Sequence, residues 1–160
     1  MKISNPVLPL LTSLLLFACD GSNTQNESAG SNQGDLASVT AVAVTGEPGN
    51  YNFSVTVQSP DTGCDQYADW WEVIRPDGSL IYRRILAHSH VTEQPFSRSG
   101  GPVSIAPDEE IIVRTHMNNS GYAEQVLAGS VNQGLLADSL DTSFAIELET
   151  TAPVPDGCAF

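Results

Sequence analysis

Lysine is nearly missing from this 160-residue chain: Lys2 is the only one, beside five arginines and nineteen Asp and Glu residues. Such an acidic surface repels phosphate backbones and anionic headgroups, which argues against nucleic acid as a partner. Histidine and cysteine are also scarce, at three each, and aromatic residues make up 7%. No run of apolar residues reaches the roughly twenty needed to span a bilayer as a helix. There is no dinucleotide or phosphate-loop glycine signature and no Gly-x-Ser-x-Gly elbow, so the common enzyme classes lose their usual sequence marks. No C-x-x-C spacing suggests a redox or zinc motif.

What the chain does have begins at its N-terminus. Met1-Lys2 is followed, from Leu8 to Phe17, by ten residues that are almost all apolar, the form of a signal-peptide core. The run ends in Leu16-Phe17-Ala18-Cys19, which resembles the lipobox of bacterial lipoproteins: Leu three positions before Cys and a small residue directly before it. Phe17 departs from that pattern, where a small or β-branched residue is commoner. The resemblance implies cleavage after residue 18, acylation of the Cys19 thiol, and attachment made lasting by acyl chains contributing ~0.8 kcal/mol per buried CH₂. Residues 20–35 contain almost no apolar side chain and cannot offset chain entropy by burial, so they are expected to form a disordered tether. The expected organisation is a leader over 1–18, lipidated Cys19 and tether over 19–36, and one domain over 37–160. The mature chain keeps five arginines against nineteen acids, a net charge of −14.

Two thiols then remain, Cys64 and Cys158. Outside the reducing cytoplasm an even pair in a small domain is most simply a disulfide. Closing a loop of about 95 residues, it would stabilise by ~4–5 kcal/mol on chain-entropy grounds. A metal-binding pair or two free thiols are the alternatives.

From Leu36 the apolar pattern has period two, broken by turn residues, which predicts β-strands. Tyr51, Phe53, Val55 and Val57 share one face, with Asn52, Ser54 and Thr56 on the other. Strands are also predicted over 39–44, 70–74, 80–86, 103–105, 111–117 and 125–131. Gly46-Glu47-Pro48-Gly49-Asn50 and Pro76-Asp77-Gly78-Ser79 form the turns. About seven short strands predict an all-β, antiparallel sandwich resembling immunoglobulin or fibronectin type III domains, with one indole of Trp70-Trp71 filling the core. Leu140, Phe144 and Leu148, spaced by four, predict a short C-terminal helix.

His88, His90 and His116 are the first candidates for chemistry. On a strand, His88 and His90 would project together, and alternation sends His116 and Arg114 to the outer side of their strand. If the two strands are neighbours, three imidazoles could hold zinc or copper, with Glu93 or Asp65 as fourth ligand or supporting partner. Carbonic anhydrase uses such an arrangement, but nothing else here resembles that family. The other reading is a polar strand end whose imidazoles bond to nearby carboxylates. Met117 reads as core, or else as a soft copper ligand.

The second candidate is a recognition surface. Alternation places Trp70, Glu72, Tyr82, Arg84, Arg114 and His116 on one outer sheet face, beside Glu93 and Arg98. The stretches Asp61-Thr62-Gly63, Tyr67-Ala68-Asp69 and His88-Ser89-His90-Val91-Thr92-Glu93-Gln94-Pro95-Phe96-Ser97-Arg98 resemble a pattern of uncharacterised bacterial exported proteins and lipoproteins with a small β-sandwich. That resemblance marks the 88–98 loop and implies no catalytic residue. The expectation is therefore a lipid-anchored, non-enzymatic module of the cell envelope, facing the periplasm or cell surface, that binds an envelope protein or small ligand. Its rivals are a zinc- or copper-binding lipoprotein and a structural envelope component.

Overall fold

The computed structural model describes residues 36–159. The leader, Cys19 and the tether, apart from Leu36, lie outside the described residues. Among the described residues nine strands run in chain order: β1 Ser38–Glu47, β2 Asn50–Gln58, β3 Ala68–Ile74, β4 Leu80–Ile85, β5 Phe96–Val103, β6 Ile111–Met117, β7 Gly121–Tyr122, β8 Gln125–Ser130 and β9 Gly134–Ser139. They form a three-stranded sheet in the order β1-β2-β5 and a larger sheet in the order β4-β3-β6-β8-β9, with β7 on β6. Every pairing is antiparallel. This is the expected all-β sandwich. Its fourth strand pairs with the third, unlike the immunoglobulin constant arrangement, where the fourth joins the first two.

The β1–β2 hairpin closes where Pro48 presets one corner and Gly49 takes φ +79° at the next. Tyr51, Phe53, Val55 and Val57 are all buried, as their alternation requires, and they meet Trp71, Val73, Val113 and Met117 from the facing sheet. Trp71 is the indole that fills the core, fully buried. Met117 is core as well. The β3–β4 turn is held by Asp77, whose carboxylate accepts from the Ser79 amide and hydroxyl.

Beyond the two-residue β7, which was not anticipated, three segments differ from the sequence reading. The strand expected over 103–105 is instead β5, ending at Val103. Its inward positions carry Gly100 rather than an apolar residue, because a Cβ there would lie 2.6 Å from the Tyr82 hydroxyl and 3.0 Å from the Trp71 ring. The strand passes directly over Trp71, so the close approach erased the apolar alternation. β9 was not anticipated; it is an edge strand with Leu136 72% exposed. The C-terminal helix is a single 3₁₀ turn, Ile146–Thr150, entered through Ala145 at φ 50°.

That turn belongs to a strap, residues 140–159, lying on the outer face of the larger sheet. Leu140, Phe144 and Leu148 do cluster, but against Ile74, Ile112 and Val126 in a second, smaller core. Consequently β3 and β6 are buried along their whole length on both faces. The strap's far end is tied by the disulfide Cys64–Cys158, with Cα atoms 5.6 Å apart. No helix among the described residues is long and apolar enough to cross a membrane.

Candidate functional site

Burial of β3 and β6 on both faces leaves their polar side chains under the strap, where each must be paired. Glu72, fully buried, accepts from Arg83 Nε at 2.8 Å through one carboxylate oxygen and from Arg114 Nε at 2.8 Å through the other. The two guanidiniums carry one charge more than Glu72 neutralises. Their remaining N–H groups donate to strap carbonyls: Arg83 to Leu148, Thr151 and Pro153, and Arg114 to Phe144 and Ala145. Aromatic faces take up the rest of the field. Arg83 lies 4.3 Å from the Trp70 ring centroid and Arg114 3.5 Å from that of Tyr122. Burial, with the charge of Glu72 behind it, pushes the Tyr122 hydroxyl well above its ordinary range.

The strap seated in this way forms one wall of a cleft of about 710 Å³ at the end of β6. Tyr67, Asp69, Trp70 and His116 line its base, the 118–121 turn lines one side, and Glu149, Thr150, Pro155 and Gly157 of the strap line the other. His116 stacks on Trp70, with centroids 3.8 Å apart and planes 4° from parallel. Its Nδ1 is 2.7 Å from Asp69 Oδ1 and its Nε2 is 3.4 Å from Glu149 Oε1. The imidazole thus stands between a buried carboxylate and a partly exposed one. Burial pushes the Asp69 carboxyl up, with the His116 contact acting in the opposite direction. Among the described residues, no arginine or lysine lines the cleft. Such an arrangement accepts hydrogen bonds and positive charge.

The structure does not assemble the three-histidine metal site. His116 is on β6, whereas His88 and His90 lie in the β4–β5 connection, and β3 stands between β4 and β6. The expectation required adjacent strands, and the sheet order denies it. Neither His88 nor His90 is on a strand; their rings are 4.6 Å apart, with His88 exposed and His90 buried on Phe96. Asp65 is exposed, and Glu93 is occupied with Arg98 at 2.8 Å. Among the described residues, no three His, Cys, Asp or Glu side chains are grouped to hold a metal ion.

The recognition face also differs from the expectation. Trp70 and Arg114 are 2% and 1% exposed, because the strap covers the face they share with Glu72 and His116. A register shift between Val73 and Ile74 places Arg83, not Arg84, opposite Glu72. Tyr82 then packs against Trp71 on the other side of the sheet, and Arg84 is exposed at the edge. Glu93, in the β4–β5 connection, and Arg98, on β5, remain accessible as a pair. That connection is anchored by Asp61, whose two oxygens accept the amides of Ala68 and His90.

Asp69, Glu149 and Tyr67 escaped the sequence reading. Asp69 lies within the Tyr67-Ala68-Asp69 stretch of the exported-protein pattern, but Glu149 meets it only through the docked strap, a contact no local signal carries. Over 82 residues the chain is 38% identical to a protein of Halomicrobium mukohataei named "Putative lipoprotein", a match covering 51% of this chain and 40% of that protein. The chain therefore spans less than half the length of that relative. No family model matches it. No solved structure matches it either.

Proposed function

We propose that this protein is an exported, lipid-anchored, non-enzymatic β-sandwich of the cell envelope that binds its ligand in the cleft beside Trp70 and His116. The leader, the Leu16–Cys19 stretch and the relative named for a lipoprotein support the address. The observation that carries the binding reading is the strap-built cleft, in which Glu149 is set opposite Asp69 with His116 between them. Two carboxylates and no basic side chain other than His116 suit an ammonium or guanidinium group, free or on a partner's basic segment. The expected recognition face is replaced by this cleft because the strap already occupies the face.

The test is titration of the detergent-solubilised full-length protein with arginine methyl ester, putrescine and a short Arg/Lys peptide, followed by tryptophan fluorescence, since Trp70 lines the cleft. Saturable binding that weakens at least ten-fold in Asp69→Asn and Glu149→Gln, but not in Glu110→Gln at the opposite end of β6, supports the reading. No saturable response, or equal weakening in all three variants, overturns it, because general attraction to an acidic surface would behave that way.

A further inference from the structure

The strap is held by two different means along its length. As far as Pro153 the buried arginines fasten it, Arg114 through the carbonyls of Phe144 and Ala145 and Arg83 through those of Leu148, Thr151 and Pro153. Beyond Pro153 that fastening ends. Val154, Asp156, Gly157 and Ala159 are exposed, and Pro155 and Cys158 are half-buried. Among the described residues, this tail is joined to the rest of the fold by one hydrogen bond, from the Ala159 amide to the Ala87 carbonyl at 2.6 Å, and by the disulfide Cys64–Cys158. Yet Pro155 and Gly157 form part of the cleft wall. A segment that buries so little has no packing to offset its chain entropy, so the covalent bond keeps that part of the wall in place.

The other end of the bond belongs to the opposite side of the cleft. The Cys64 carbonyl accepts from Asn118 Nδ2 at 2.9 Å, and Asn118 Oδ1 accepts the Tyr67 amide at 3.0 Å. Asn118 and Tyr67 both line the cleft, as does Gly157, the neighbour of Cys158. The disulfide therefore bridges the two sides and sets the width of the cleft at this end. Cys158 also borders a second hollow of about 370 Å³, together with Ile85, Ala87, Asp156, Gly157 and Ala159. Gly157 lines both spaces, so the tail is the partition between them. The hollow gives an attacking thiol a route to Cys158 that requires no unfolding.

We propose that Cys64–Cys158 is a redox latch on the cleft: reduction by a dithiol frees residues 154–159, opens the cleft into the second hollow and weakens ligand binding, while the sandwich stays folded. A thiolate of the reductant attacks Cys158 Sγ, the S–S bond breaks, and Cys64 leaves as a thiolate that takes up a proton. The second thiol of the reductant then displaces Cys158. Two electrons and two protons pass to the protein, and the dithiol becomes a disulfide. The effect on affinity rests on the cleft being the binding site; the release of the tail does not.

The test uses the full-length wild-type protein in detergent, labelled with nitrogen-15, first oxidised and then reduced with dithiothreitol in native buffer. Trapping with iodoacetamide reports the reduction. Backbone relaxation is expected to give residues 156–159 order parameters of about 0.85 while oxidised and below about 0.6 once reduced, with 146–150, β2 and β6 unchanged. Titration with arginine methyl ester is expected to weaken several-fold on reduction. A tail already flexible when oxidised, or still rigid when reduced, overturns the latch. So does loss of order throughout β2 and β6, because the bond would then be a staple of the whole fold. A bond that yields to dithiothreitol only after unfolding, or unchanged affinity with a freed tail, overturns it as well. An oxidised protein that binds nothing removes the ligand reading instead, and the relaxation data alone then judge the latch.

Discussion

Replacing Glu72 by glutamine removes the one negative charge beneath the strap while keeping the side chain's volume. Arg83 and Arg114 then remain buried, 6% and 1% exposed, without a counter-ion, and the new amide N–H₂ faces a guanidinium. Breaking a buried ion pair from one side typically costs ~3–5 kcal/mol, a large share of the roughly 5–15 kcal/mol that holds a domain together. For a domain of this size the melting temperature should drop by roughly 10–20 °C. The loss should be local before it is global. Five strap carbonyls depend on the two guanidiniums, so amide exchange at 144–153 should accelerate well before exchange in β2 or β6. An apolar triple replacement of Glu72, Arg83 and Arg114 separates charge from fastening. In a simple buried pair such a swap is often neutral, but here it leaves those carbonyls without donors, so strap protection should still fall. Thermal unfolding followed by tryptophan fluorescence, with hydrogen exchange read by mass spectrometry, measures both effects. A Glu72→Gln protein melting within about 2 °C of wild type, with strap protection intact, would refute the account of the triad as the strap's fastening.

Cys19→Ala should shift the protein from the detergent-rich to the aqueous phase in cloud-point partitioning; unchanged partitioning would remove the anchor. Cys158→Ser, which opens a cross-link spanning 94 residues, should cost ~4–5 kcal/mol in urea unfolding if the unfolded chain is otherwise unconstrained. Burial foremost, then Arg98 and His88, hold His90 below the ordinary imidazole range, with Asp61 and Glu93 opposing. The fold therefore favours neutral His90, and its stability should decline as pH falls below about 6.5, until the lowered folded value is passed. His90→Leu should flatten that decline. Carboxyl titration by NMR should place Asp69 above its ordinary value, raised by burial, and Asp77 and Asp141 below theirs, lowered by hydrogen bonds from Ser79 and Ser143. Asp69 accordingly opposes folding at neutral pH, and that opposition is relieved as pH drops through its raised value. Gly121→Ala should weaken cleft binding, because Gly121 has φ +77° and a Cβ there would come within 2.9 Å of Glu149 Oε1.

Local pattern was a good guide wherever one face of a strand meets the core and the other meets water. β2 was legible for that reason, and Trp70-Trp71 on a middle strand announced that one indole would be interior. The Cys64–Cys158 pair was legible through cysteine arithmetic and an expected compartment rather than through geometry. β5 was not, since Gly100 replaces an apolar side chain where Trp71 fills the space from across the sandwich. The candidate site was only half visible. Trp70 and His116 lie on strands the pattern located, with Asp69 just before the predicted start of its strand, and His116 had been singled out, but for a metal site that the sheet order β4-β3-β6 does not build.

By itself the sequence determined the periodicity of the strands, the acidity of the chain and the scarcity of cysteine. These follow from side-chain chemistry acting over a few residues. Only the tertiary structure decided that the polar face of β3 and β6 is an interior, because the strap that covers it lies about seventy residues from Glu72 and Arg83 in the chain. A buried glutamate between two arginines and an exposed salt bridge look the same in one dimension. What distinguishes them is which segment takes the place of water, and that is settled by the packing of Leu148 and Phe144 against Ile74 and Ile112.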